Sequence, residues 1–193
     1  LQLFTRAVMR TNNVERMLTP AQRAVEAASI ASLGGDFANT NNMQEFFSDV
    51  KATMAVGPSI TDTATIASYW FHHSRTYREA KTVVISQDDY PLARRSEVWL
   101  RPAPGMTAML LNGIAGVIIR NGLARVTEGA AGFQMWVDEV QNLSVESVAE
   151  RTGVPAAKIE AAAMIWGSGG SGKVNDEGKY APSLIYQTLA HQT

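Results

Sequence analysis

The sequence predicts an α/β domain whose open parallel sheet is flanked by helices, and three neighbouring segments carry that expectation. Residues 52–56 (Ala-Thr-Met-Ala-Val) form a short apolar run closed by Gly57-Pro58. Thr82-Val83-Val84-Ile85-Ser86 is β-branched and continuous, as a strand covered on both faces would be. Between them residues 62–79 read as helical and are long enough for a crossover. Strand, helix and strand within about thirty residues define a parallel β-α-β unit, whose crossover should be right-handed.

The other elements follow in order. Residues 20–33 carry Ala24, Ala27, Ala28 and Ala31 at helical spacing after Thr19-Pro20, an N-cap with proline at the first helical position, and Gly34-Gly35 ends the run. Val98 to Leu100 supplies a third strand. Residues 104–121 form a long apolar helix stopped by Gly122, and residues 134–141 and 144–151 two more, the latter opening Ser144-Val145-Glu146-Ser147. Residues 155–166 place Ile159, Ala162, Ala163 and Trp166 on one helical face. Residues 167–179 are glycine-rich and polar, a loop. Residues 183–191 are expected to close the chain as a short helix, and no internal repeat is present.

A chain of 193 residues, 46% hydrophobic, is ample for one core, and a single domain over residues 1–193 is expected. Formal net charge is −1, and Arg94-Arg95 is the densest basic pair, so no stripe exists to neutralise several phosphates and nucleic acid is not an expected partner. Charged residues interrupt every stretch before the ~18 apolar residues of a membrane span. The start, Leu1-Gln2-Leu3-Phe4-Thr5-Arg6, lacks a Met and a signal-peptide pattern, which suggests part of something longer. With no cysteine, disulfides, thiolate zinc sites and cysteine-ligated iron-sulfur clusters are excluded within the chain, and a cytoplasmic setting is permitted.

Several constellations resemble chemistry and fall short of it. Gly167-Ser168-Gly169-Gly170-Ser171-Gly172-Lys173 has phosphate-loop spacing, but Val174 stands where a Ser or Thr hydroxyl should hold magnesium, and Asp176-Glu177 adds negative charge. His72-His73 is the one histidine pair, and helix neighbours diverge by about 100°, so they do not chelate one metal from one face. Tyr69, Trp70 and Phe71 beside them are expected to pack against the sheet. No serine sits in a Gly-x-Ser-x-Gly elbow. Gln87-Asp88-Asp89 follows the second strand, where open α/β sheets face their ligand crevice, but a plain turn with Asp89 holding the loop is the reading preferred over a ligand role.

Taken together these segments resemble the molybdopterin oxidoreductases, with their Rossmann-like dinucleotide-binding domain, in particular the catalytic subunit of formate dehydrogenase and the large iron-sulfur subunit of NADH-quinone oxidoreductase. The resemblance covers nearly the whole chain. It is carried in order by Phe4-Thr5-Arg6-Ala7-Val8 with Thr11-Asn12-Asn13-Val14, by residues 52–59, by Ala93-Arg94-Arg95-Ser96-Glu97, and by Arg101-Pro102-Ala103-Pro104-Gly105-Met106-Thr107. Leu110-Leu111-Asn112-Gly113, Asn121-Gly122-Leu123, Thr127-Glu128-Gly129 and Thr152-Gly153-Val154 continue it.

The same resemblance exposes departures. Where the family has a molybdenum-ligating cysteine or selenocysteine followed by histidine, residues 18–23 read Leu-Thr-Pro-Ala-Gln-Arg, with neither a soft anionic ligand nor an imidazole. The family's Asp-Pro-Arg at the guanosine end corresponds to Ser86-Gln87-Asp88, a charge reversal near a diphosphate. Its Gly-Ser-Asn is Gly57-Pro58-Ser59, where proline removes a backbone donor, and the acidic end of Pro-Gly-Thr-Asp is Ala108. Residues 159–167 have room for only one of the helix and strand that the family places there.

The resemblance therefore implies a catalytically degenerate domain, a structural or interaction component of a larger formate- or NADH-dehydrogenase-like redox complex, with other subunits or domains as partners. No catalytic residue, no metal ligand and no cofactor are expected. The alternative is the cofactor-binding portion of an active molybdenum or tungsten oxidoreductase of formate dehydrogenase type. Gly57, Ser59, Gln87, Asp88 and Gly105 would then line a molybdopterin guanine dinucleotide; under the first reading they are vestigial. A nucleotide module using residues 167–173 is the third reading.

Overall fold

The computed structural model describes residues 4–11, 23, 24, 27, 28, 30, 31, 50–124, 132–170 and 183–187. The chain divides into two compact units, one of Leu1–Asn39 with His191–Thr193 and one of Thr40–Ala190. In the first, Phe4–Val8 forms one π-helical turn, its end closed by the Met9 amide donating to the Phe4 carbonyl at 3.1 Å. Residues 23, 24, 27, 28, 30 and 31 are helical, as the alanine spacing predicts.

The second unit is the α/β domain. Its elements are β1 (Ala52–Val56), α1 (Ile60–Thr63), α2 (Thr65–Arg78), β2 (Lys81–Ile85), α3 (Pro91–Arg95), β3 (Val98–Leu100), α4 (Thr107–Arg120), α5 (Phe133–Gln141), α6 (Val145–Thr152), α7 (Ala156–Gly167) and β4 (Ser183–Gln187). All pairings are parallel and the strand order is β3-β2-β1-β4. The predicted open parallel sheet flanked by helices is thus the observed architecture.

Alternation along the strands explains the layering, because successive side chains point to opposite faces. Met54, Val56, Val83, Ile85, Val98 and Leu100 enter one core with Leu110, Ile114 and Val117 of α4, Val148 of α6 and Ile159, Ala162 and Ala163 of α7. Ala55 and Val84 enter the other with Ile60, Ala67, Phe71, Leu92 and Ala93. Every residue of β1 is buried, as its apolar run predicts. The polar exception pairs across strands: Thr53 and Thr82 hydroxyls lie 3.1 Å apart in full burial.

Helix α4 anchors its side of the sheet through glycine. A Cβ on Gly113 would stand 2.7 Å from Val148 Cγ1, and one on Gly116 would stand 2.5 Å from the Val140 carbonyl oxygen. Only hydrogen at these positions lets α6 and α5 approach this closely. Arg120, at the end of α4, donates to the Gln141 and Leu143 carbonyls at 3.0 and 2.9 Å, fixing the end of α5. The Ser144 hydroxyl accepts from the Ser147 amide, the N-cap that the local sequence predicts.

Three expectations are corrected. The helix expected over residues 62–79 is two helices broken at Ala64 (φ −151°, ψ 70°). Thr65 Oγ1 donates to the Thr61 carbonyl, the acceptor that a continuing main-chain ladder would use, whereas the Thr63 amide and Oγ1 share the Ser59 carbonyl. Residues 183–187 form a parallel strand beside β1 rather than a helix; Leu-Ile-Tyr has strand propensity, and β1 has a second edge to satisfy. Residues 156–167 hold a single helix, α7, in keeping with the room available before Gly167. Of the aromatic trio on α2 only Phe71 is fully buried, while Tyr69 is 59% exposed: one helical turn cannot face three consecutive residues inward.

Gly116→Ala tests the α4 contact. Overpacking against a backbone carbonyl costs about 1–3 kcal/mol, against a helix-propensity gain of about 1 kcal/mol. Chemical denaturation should therefore show net destabilisation, and a stabilised variant would contradict the geometry.

Candidate functional site

From β1 the chain steps outward to β2 and then β3, and β4 lies on the other side of β1. Open parallel sheets bind ligands at such a reversal, outside the carboxyl ends of the strands. The loops after β1, β2 and β3 carry Gly57 and Ser59, Gln87 and Asp88, and Gly105, the five residues that the sequence singles out. The residues following β4 lie outside those described.

Backbone donors in the first loop are all engaged within the protein. Gly57, at φ 111°, donates to the Ile85 carbonyl at 3.0 Å and so prolongs the β1–β2 ladder. Pro58 has no N–H. The Ser59 amide donates to Asp88 Oδ2 at 2.8 Å, linking the β1 and β2 loops. The Ile60 backbone bonds the Tyr90 phenol. Ser59 itself is buried, and its Oγ is a buried atom without a hydrogen-bond partner.

The second loop is held as firmly. Ser86 donates its amide to the Leu100 carbonyl at 3.1 Å, accepts the Trp99 indole N–H on its carbonyl at 3.0 Å, and accepts the Asp88 amide on Oγ at 3.1 Å. Gln87 Nε2 donates to the Pro102 carbonyl at 3.1 Å, and Arg101 Nη2 returns a bond to the Gln87 carbonyl at 3.1 Å while lying 4.7 Å from the Trp99 ring centroid. Asp89 pairs with Arg94 at 2.5 Å, and this hydrogen bond holds its carboxyl below the usual range. Gly105, φ 79°, occupies the turn after β3, where the Met106 amide closes on the Ala103 carbonyl; a Cβ there would meet nothing within 4 Å, so the requirement is conformational.

Ser59 and Asp88 are therefore in direct contact, and Gln87 joins the β2 loop to the β3 loop. Gly105 sits beyond that junction on its own turn. Tyr90 was not singled out by the sequence, since one aromatic before Pro91 carries no periodic signal. It is 4% exposed, and burial, aided by the Asp88 charge and opposed by the Ile60 bond, pushes its phenol up to about 12.

The histidines diverge as neighbours on a helix must. The His73 ring lies 5.3 Å from Trp70 and 4.9 Å from Tyr77, whereas His72 lines a cleft with Arg75 and Arg95. Among the described residues no group of three or more His, Cys, Asp or Glu could hold a metal ion. Gly167 ends α7 and residues 168–170 turn; residues 171–173 of the phosphate-loop-like segment, residues 18–22 and Asn12-Asn13-Val14 lie outside the described residues. No helix among the described residues is long and apolar enough to cross a membrane.

This arrangement defines an open parallel α/β domain with its loops gathered at the strand carboxyl ends, and comparison with known proteins narrows it. No family model matches the chain. It is 27% identical over 186 residues to F420-dependent formate dehydrogenase 2 subunit alpha of Methanococcus maripaludis, covering 87% of this chain and 25% of that protein. It is 28% identical over 185 residues to formate dehydrogenase H of Escherichia coli, covering 88% and 25%. It is 23% identical over 159 residues to the probable oxidoreductase YjgC of Bacillus subtilis, covering 80% and 16%. Acetylene hydratase from Pelobacter acetylenicus shares the fold at a TM-score of 0.59 and 24% identity, over 72% of this chain and 18% of that one. These similarities support a molybdopterin oxidoreductase-like domain. It spans about a quarter or less of the length of these relatives.

Two predictions follow from the Ser59–Asp88–Tyr90 arrangement. Asp88→Ala leaves the Ser59 amide without its charged acceptor and should cost about 1–3 kcal/mol of stability in urea unfolding; an unchanged midpoint would show the contact to be immaterial. For Tyr90 the folded-state value is raised, so its contribution is complete below the unfolded phenol's ordinary 10 and lost as pH rises toward about 12. Stability should fall by on the order of 2–3 kcal/mol across that window, and Tyr90→Phe should remove this component of the fall.

Proposed function

We propose that this domain is a cofactor-free, structural or interaction component of a formate- or NADH-dehydrogenase-like redox complex. The observation that carries the reading is the set of engaged donors after β1: the Gly57 amide on the sheet, no amide at Pro58, and the Ser59 amide on the Asp88 carboxylate. A diphosphate needs unoccupied donors, and a fixed carboxylate repels it. These residues do not fit a dinucleotide diphosphate at this loop. The sequence adds a second argument, because residues 18–23 supply no soft anionic metal ligand.

On this reading Gly57, Ser59, Gln87, Asp88 and Gly105 are a vestigial crevice whose internal bonds replace a ligand. A role in assembly accords with Ile66, Tyr69 and Tyr77 of α2, at 75%, 59% and 72% exposure, which other subunits or domains of a cytoplasmic complex would cover. That a relative is named as an alpha subunit supports a multisubunit setting.

One observation favours the alternative, a cofactor-binding portion of an active molybdenum or tungsten oxidoreductase. The Ser59 hydroxyl is buried without a partner beside the strand ends, as a ligand-facing group would be. The two readings separate in one measurement on the native assembly: elemental analysis for molybdenum and tungsten, with pterin fluorescence after oxidation. The first predicts neither group bound through this chain, and stoichiometric metal with pterin retained here would overturn it.

A further inference from the structure

A second cleft, of about 630 Å³, opens at the other end of the sheet. It is bounded by the last turns of α2, the start of β2 at Lys81 and the end of α3, with Arg95 and Glu97. Lys81 and Ser86 lie five strand residues apart, so the cleft and the β2 loop are separated by roughly 17 Å. It shares no residue with the Ser59–Asp88 site.

Its charges are unevenly satisfied. Arg75, Lys81 and Arg95 face Glu79 and Glu97 across it. Glu97 is already occupied, since Oε2 accepts the Thr82 amide at 2.5 Å and Oε1 accepts from Arg75 Nη2 at 3.3 Å. Among the described residues Lys81 and Arg95 have no ion pair. Arg75 Nε is buried with no acceptor, a guanidinium donor that calls for an oxygen.

His72 reports the same imbalance. Burial first, then the charges of Arg95 and Arg75, hold its imidazole below the usual value. Both guanidiniums thus bear on one half-buried ring.

We propose that this cleft is a binding site for a doubly charged phosphoryl oxyanion, received by Arg75, Arg95 and Lys81 with His72 at its side. Guanidinium groups match such oxygens geometrically, and Lys81 adds a point charge. Free phosphate and the phosphate of a small monoester present the same oxygens.

The test follows the His72 ring protons by NMR in the full chain, assigned with His72→Gln, while inorganic phosphate replaces chloride at constant ionic strength. Bound phosphate should raise the His72 titration midpoint by about one unit, since it offsets the two neighbouring cations. Arg95→Gln should weaken phosphate about tenfold or more, whereas Arg151→Gln, an exposed cation on α6, should leave its affinity unchanged. A parallel titration with glycerol 3-phosphate separates the sources: a shift equal to or larger than that with phosphate assigns the site to a phosphomonoester, and a smaller one to the free ion. A His72 titration indifferent to both anions at tens of millimolar overturns the proposal, as does equal weakening by Arg95→Gln and Arg151→Gln.

Discussion

The whole domain depends on β1 being buried on both faces and hydrogen-bonded on both edges. A strand removed from water in this way must have every amide and carbonyl paired, because an unpaired buried group costs as much as a lost hydrogen bond. Parallel partners on both sides satisfy it, and parallel partners require crossovers. Helices must then cover both faces, which gives three layers, and the return of the chain to β4 creates the reversal in strand order.

Much of this was legible in the residues. Apolar Ala52–Val56 and β-branched Val83-Val84-Ile85 encode buried parallel strands, and Ser144 encodes its cap. The break at Ala64 was not legible: there the Thr65 hydroxyl takes the Thr61 carbonyl, a choice that helical periodicity does not register. Nor was β4, since Ser183–Gln187 is strand because β1 has a free edge, a tertiary demand from more than a hundred residues away. The strand-end loops were found by position, but their bonds were not. Nothing in Asp88 as a letter says that its carboxylate reaches the Ser59 amide.

Charge is used in two different ways at the two ends of the sheet. At the carboxyl ends a carboxylate closes loops on one another, with Asp88 and Gln87 tying three strands' connections together. At the amino ends Glu97 does similar work for β2, accepting the Thr82 amide in line with the ladder, because β3 begins only at Val98. Its side chain acts there as a substitute strand residue, and the cations around it are left partly uncompensated.

The brevity of β3 has a consequence of its own. An outer strand of three residues, followed at once by Pro102 and soon by Pro104, offers too few donors to template another chain. β4 is longer, with five residues paired to β1 on one side. Among the described residues the two margins of the sheet thus differ: one is a three-residue strand with little to offer a further strand, the other a five-residue strand.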